Sequence, residues 1–247
     1  MNRKPLWLIA LLFTLASSGC LTLTTNNRAV VAARNETRLE RAEQVLSAPS
    51  SSLRARLVAA GIEQTAYTNS YDAAYTKLDY PMGDVPRERG VCTDVIIRAF
   101  RRNEVDLQKE IHEDIAGDFK AYPQKWNASK PDSNIDHRRV PNLMTYFERQ
   151  GKSLPVTERA ADYLPGDVVT WEVQGRPHIG LVTDEQAPSS QTPLIVHNIG
   201  AGARVEDVLF AWKITAHYRF FKDDSPSPVK QSAAPAGVAR AAGKLQN

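Results

Sequence analysis

Pro165-Gly166-Asp167-Val168-Val169-Thr170-Trp171-Glu172-Val173-Gln174-Gly175-Arg176-Pro177-His178-Ile179-Gly180-Leu181-Val182-Thr183 is the stretch whose reading decides the fold. It holds two short apolar runs, Asp167 to Val173 and His178 to Thr183, separated by Gly and Pro. Runs of this length, rich in β-branched residues and bounded by turn formers, read as strands. Leu194 to Ile199 and Lys213 to Phe220 repeat the pattern. Upstream the period lengthens to that of helices. Asn35 or Thr37 can cap a segment running to about Leu46, and the Ser-rich 50–52 stretch can cap a second bearing Leu53, Leu57, Val58 and Ile62. A third helix should begin beside Cys92, with Val95, Ile96, Ala99 and Phe100 as its buried stripe and Arg98, Arg101 and Arg102 as a solvated face. Further helices are expected from Leu107 to Phe119 and from Pro141 to Arg149, where Pro141 stands at a permitted first-turn position. Helices first and an antiparallel sheet second predict an α+β fold.

The ends set the compartment. Met1, Asn2, Arg3 and Lys4 precede an apolar run from Leu6 to Ala16, then Ser17, Ser18, Gly19 and Cys20. This is the layout of a secretory signal peptide over residues 1–20, with about half of the ~20 apolar residues that a membrane span needs. Gly19 before Cys20 resembles a lipobox, although Ser17 stands where leucine is usual, so Cys20 is the candidate lipid anchor. Residues 21–50 read as a tether followed by a helix, 51–222 as the catalytic domain, and 223–247 as a disordered Ser/Pro/Ala/Lys-rich tail. The expected location is exported and periplasmic, with membrane contact only through the N-terminal anchor. A net charge of +3 over 247 residues is too small to imply a nucleic-acid partner.

The chain has two cysteines, so if Cys20 is lipidated or removed, Cys92 has no intramolecular disulfide partner. An odd thiol in an oxidising compartment reads as reactive. At a helix start just after Gly90, unpaired N–H groups and the positive dipole end favour a thiolate. His178 opens a strand, from which an imidazole can lean over a helix N-terminus and act as base. A third group must orient that ring. His197 and Asn198 are the adjacent candidates, and strand alternation sends them to opposite faces, so only one can serve.

Cysteine at a helix start, His-Ile-Gly at a strand start and an apolar strand ending in histidine resemble NlpC-type cell-wall peptidases, which share the papain core. More closely, Arg-Gly-Val-Cys-Thr-Asp, Asn-Ile-Asp-His-Arg-Arg-Val-Pro-Asn, Pro-Gly-Asp-Val-Val-Thr-Trp and Val-His-Asn-Ile-Gly resemble a bacterial family known as domain of unknown function 1287, across most of Tyr71 to Phe220. The resemblance implies a papain-like NlpC-type fold, Cys92 as nucleophile, His178 as base and His197 as third residue. It also implies a Tyr80 hydroxyl near the nucleophile, able to help the Cys92 N–H hold an oxyanion. The implied substrate is an amide or isopeptide bond in peptidoglycan stem peptides, and no cofactor is implied. The usual Asp-Cys-Ser-Gly is Val-Cys-Thr-Asp here, and the segment between Cys92 and His178 is longer than usual.

Other residues have plainer readings. Asp167 should fix a turn, Trp171 should be core, and His112-Glu113-Asp114 should be an exposed helix face. His137, Arg138 and Arg139, in the charged block that Asp136 opens, can bind substrate carboxylates or pin the insertion to the body by salt bridges. Acyl transfer to an acceptor other than water would use the same cysteine and histidine. Two further classes compete: a metal-dependent hydrolase with ligands from His112, His137, His178 and His197, for which no HExxH or paired-cysteine spacing is present, and a non-catalytic wall-binding lipoprotein.

Overall fold

The computed structural model describes residues 15–222, with side chains from residue 29 onward. The first part of the expected signal peptide, the side chain of Cys20 and the 223–247 tail lie outside these described residues. Helix α1 spans Leu15–Ser47, so the expected tether over 21–33 is helical instead. No Pro or Gly interrupts Leu21 to Ser47, and Ala, Arg, Glu and Leu dominate its second half. Among the described residues no helix is long and apolar enough to cross a membrane.

Helix α2, Leu53–Glu63, starts where the Ser-rich stretch predicts, with Ser52 Oγ accepting from the Ala55 N–H. A two-residue parallel pair follows, β1 Ser70–Tyr71 and β2 Arg89–Gly90. Helix α3 is Cys92–Arg101, α4 is Leu107–Gly117 and α5 is Val140–Arg149. The sheet comprises β3 Ser153–Leu154, β4 Val168–Val173, β5 Arg176–Gln186, β6 Pro193–Asn198, β7 Ala203–Glu206 and β8 Lys213–Tyr218. Its order is β3-β8-β4-β5-β6-β7, with every neighbouring pair antiparallel. The α+β class and the four expected strands are therefore present. Strands β3 and β7 lacked an apolar run long enough to announce them.

Alternation divides the sheet into two buried faces. Val168, Ile179, Leu181 and Val196 pack on Leu57, Val95, Ile96 and Phe100 of the helices. Val169, Trp171, Val182 and Ile195 pack on Tyr163 and Leu209 on the other side, with Trp212 partly buried against them. Trp171 is core as expected, and its indole N–H donates to the Leu209 carbonyl at 2.9 Å. Strands β4 and β5 are joined through Gln174 and Gly175, both at positive φ, the pairing that a two-residue hairpin turn demands.

Of the three arginines expected on a solvated face, Arg102 is exposed and pairs with Glu63, but Arg98 and Arg101 are turned inward. Arg98 is buried, its Nε donating to Asp84 at 2.8 Å and its Nη2 to the Val85 and Arg89 carbonyls. Arg101 reaches Asp106 and the Gly83 carbonyl. The reason is the irregular 72–88 segment, which wraps over this side of the helix and must find donors for its carbonyls. Asp167 accepts from the Leu164 N–H, as a turn residue should, and is also buried against His217 and Arg219. The α4 block is less exposed than expected, because His112 Nδ1 lies 2.9 Å from Asp136 and Asp114 pairs with Arg149.

Candidate active site

Cys92 is the first residue of α3, after Val91 in extended conformation. Asp94 holds this helix start by accepting from the Val91 N–H at 2.7 Å. The Arg138 guanidinium grips the same carboxylate from the insertion, with Nε and Nη2 at 3.0 and 2.9 Å. Arg138 also donates to the Ala74 and Asp72 carbonyls. Its side chain is 2% exposed, so its donors serve the helix that Cys92 opens and the 72–74 wall rather than a substrate carboxylate.

The thiol meets the sheet at the start of β5. The Val182 N–H points to the Asp167 carbonyl on the β4 side, so alternation turns the Ile179 N–H toward β6. Pairing of β5 with β6 stops at Leu181↔Val196 at this end. The Ile179 N–H therefore faces the Cys92 sulfur and favours its anion. Cys92 is 4% exposed, and burial pushes its thiol up to about 12 despite the Ile179, Thr93 and Cys92 N–H groups that favour the anion. This corrects the expectation of a resting thiolate. A helix start lowers a thiol pKa only while the sulfur keeps access to water, and here burial outweighs the dipole.

His178 shares a face with Trp171, its cross-strand neighbour. Its ring lies 6.0 Å from Trp171 and 5.9 Å from Trp212, and its Nε2 is 2.9 Å from His197 Nδ1. Burial and the neighbouring His197 push His178 down to about 3, which keeps it neutral. Gly180 makes this approach possible. A Cβ there would stand 2.6 Å from Ile195 Cγ2 and 3.2 Å from His197 Cβ. Asn198 points to the other face, donating to the Gly90 and Ser70 carbonyls at 2.9 and 3.1 Å. Of the two candidates for the third position, His197 meets His178, and Asn198 pins the backbone leading into Cys92.

Tyr80 does not line the cleft at Cys92. Its hydroxyl donates to Glu113 at 3.3 Å and its ring stands edge-on to His112. The tyrosine beside Cys92 is Tyr71, whose hydroxyl is pushed up to about 12 by its own burial and by the adjacent thiol. A cleft of about 580 Å³ opens at Cys92, walled by Tyr71, Tyr75, Trp126, Arg139 and Arg176. Arg139 lies 4.7 Å over the Trp126 ring. Among the described residues, neither Arg139 nor Arg176 has a salt-bridge partner. His137 is buried outside the cleft, and its burial pushes it down to about 3. Of the histidines considered as metal ligands only His178 and His197 meet, and among the described residues no group of three or more His, Cys, Asp or Glu is arranged to hold a metal.

Five residues of the site were missed in the sequence, Tyr75 and Trp126 of the cleft wall among them. Tyr71 is one of several tyrosines in an irregular stretch, and Arg176 belongs to a hairpin whose orientation is tertiary. Glu206 lies on the unannounced β7, with Oε2 3.0 Å from His197 Nε2.

Fold and site together define an α+β protein whose buried, helix-starting cysteine lies against the start of the strand that carries His178, which is paired with His197. Residues 58–220 match the family described as Domain of unknown function (DUF1287), and the chain belongs to that family. It is 56% identical over 160 residues to the uncharacterized protein YijF of Escherichia coli (strain K12), covering 64% of this chain and 78% of that relative. No solved structure matches it.

Proposed function

We propose that this protein is an exported papain-like cysteine hydrolase of the NlpC type that cleaves an amide or isopeptide bond in peptidoglycan stem peptides. The observation that carries the reading is Cys92 at a helix start beside the Ile179 N–H, one residue along β5 from a His178 whose Nε2 lies 2.9 Å from His197 Nδ1. In this mechanism the resting pair is neutral, so the thiol proton moves to His178 Nδ1 as sulfur bonds to the carbonyl carbon. The carbonyl electron pair moves onto oxygen, where the Cys92 N–H and the Tyr71 hydroxyl can receive it. Collapse breaks the C–N bond, and the leaving amine takes the proton from His178. Water then gives a proton to His178 and its oxygen to the thioester carbon, and the departing sulfur recovers the proton.

Arg139 and Arg176, which have no salt-bridge partner among the described residues, fit a substrate carrying carboxylates, as stem peptides do. Export, and lipidation at Cys20, belong to the same reading and rest on the basic start, the apolar run and Gly19-Cys20. Digestion of purified sacculi, with products identified by mass, tests the proposal. Wild type should release cleaved stem peptides and Cys92→Ala none. Equal product from both, or an intact sacculus with wild type, would remove the assignment.

A further inference from the structure

The histidine pair has two proton arrangements, and only one of them serves Cys92. Between two neutral imidazoles one nitrogen donates and the other accepts. If His178 donates from Nε2 to His197 Nδ1, the lone pair of His178 stays on Nδ1 and His197 carries its proton on Nε2. If His197 donates from Nδ1 instead, His178 is protonated on Nδ1 and has no site for a thiol proton. His197 Nε2 then turns a lone pair outward.

What meets that outward nitrogen therefore decides the matter. The ring of His197 is 1% exposed, and its Nε2 has no hydrogen-bond partner other than the contact 3.0 Å away at Glu206 Oε2, which lies off the ideal direction. The position follows from the register. Glu206 stands across from Ile195 and Arg204 across from His197, so Glu206 is the diagonal neighbour of His197 on the same face. A lone pair turned to a carboxylate is repelled, whereas an N–H turned to it is attracted. His197 and Arg204 both help keep Glu206 ionised. Trp212, 6.0 Å from the His197 ring, adds an apolar wall with no competing acceptor.

We infer that Glu206 is a positioning residue whose carboxylate holds the His197 proton on Nε2 and so leaves His178 Nδ1 free to take the Cys92 proton. The inference rests on reading His178 as the base for Cys92. Sequence reading could not reach it, because the carboxylate acts two side chains away from the sulfur and on a strand with no apolar signature.

The test reads tautomers directly, on full-length protein without substrate. Histidine labelled with ¹⁵N is observed by long-range ¹H–¹⁵N correlation at pH 7.5, the five histidines being assigned by single substitutions. Wild type should show His197 protonated on Nε2 and His178 Nδ1 unprotonated. Glu206→Gln can both accept and donate, and Glu206→Leu can do neither, so both should give mixed or reversed tautomers in the two rings. The half-exposed position lets both variants fold, which the melting temperature checks. On sacculi, Glu206→Gln should lose about 10- to 100-fold in kcat/KM, the range found for partners that orient a functional histidine. Wild-type His197 protonated on Nδ1 or on both nitrogens, or tautomers unchanged in both variants, would overturn the inference. Those spectra are independent of cleavage by wild type against Cys92→Ala, so each reading can fail without the other.

Discussion

Arg138→Met removes the guanidinium that holds Asp94, and the structure sets the size of the loss. Asp94 and Arg138 side chains are 4% and 2% exposed, so the variant leaves a carboxylate buried without its counter-charge. Breaking a buried pair from one side costs about 3–5 kcal/mol. Asp94 keeps its bond from the Val91 N–H, and the orphaned Asp72 and Ala74 carbonyls lie in the exposed part of the wall. The lower end, about 3 kcal/mol, is therefore expected. With a urea m-value of about 2 kcal/mol/M, the midpoint should fall by about 1.5 M. Adding Asp94→Asn removes the stranded charge, so the double variant should recover part of the loss instead of adding to it. Urea titration by circular dichroism at pH 7 measures both. A single-variant loss below about 1 kcal/mol, or strictly additive effects, would refute the buried pair as the clamp on the helix start.

Three further outcomes follow from the same geometry. His137 and His178 are held near 3 in the folded state against 6.5 in the unfolded chain, so the unfolded chain binds more protons between those values; stability should fall as pH drops from about 6.5 toward 3, and His137→Leu should flatten the dependence of the urea midpoint on pH. An unchanged slope in that variant would show that His137 is not buried neutral. Cys92 should react with iodoacetamide at pH 8 at least about tenfold more slowly in the folded protein than in urea, since burial both raises the thiol and hides it; equal rates would contradict the closed sulfur. On sacculi, Tyr71→Phe should lower kcat/KM by about 10²-fold as the loss of one oxyanion donor, while Tyr80→Phe stays near wild type; the reverse order would restore Tyr80 to the site.

The four main strands and the helix beginning at Cys92 were legible because their apolar periods are local. The opposition of Asn198 to His197 could be read from strand alternation, whereas the choice of His197 over Asn198 rested on the family resemblance. The helical run through 21–33 was not, because a Thr/Asn/Ala-rich stretch shows no amphipathic period. Arg98 and Arg138 defeated the reading for another reason. Their burial depends on carbonyls and carboxylates supplied by segments 9 to 66 residues away, and no local pattern encodes such a partner. The exchange of Tyr80 for Tyr71 has the same origin, since both occupy an irregular stretch whose path is set by the arginines that collect its carbonyls.

That dependence orders the assembly. The 72–88 wall has little ladder of its own and hangs from Arg98, Arg101 and Arg138, whereas the sheet and helices beneath it close around their own apolar core. The wall can therefore dock only after α3 and the insertion are in place, and it can detach while the layers below stay intact. Amide exchange should find Asp84 to Glu88 opening at a lower free energy than Val95 to Phe100. When the wall opens, water reaches a sulfur that the closed form keeps buried, so the same detachment would raise its acidity.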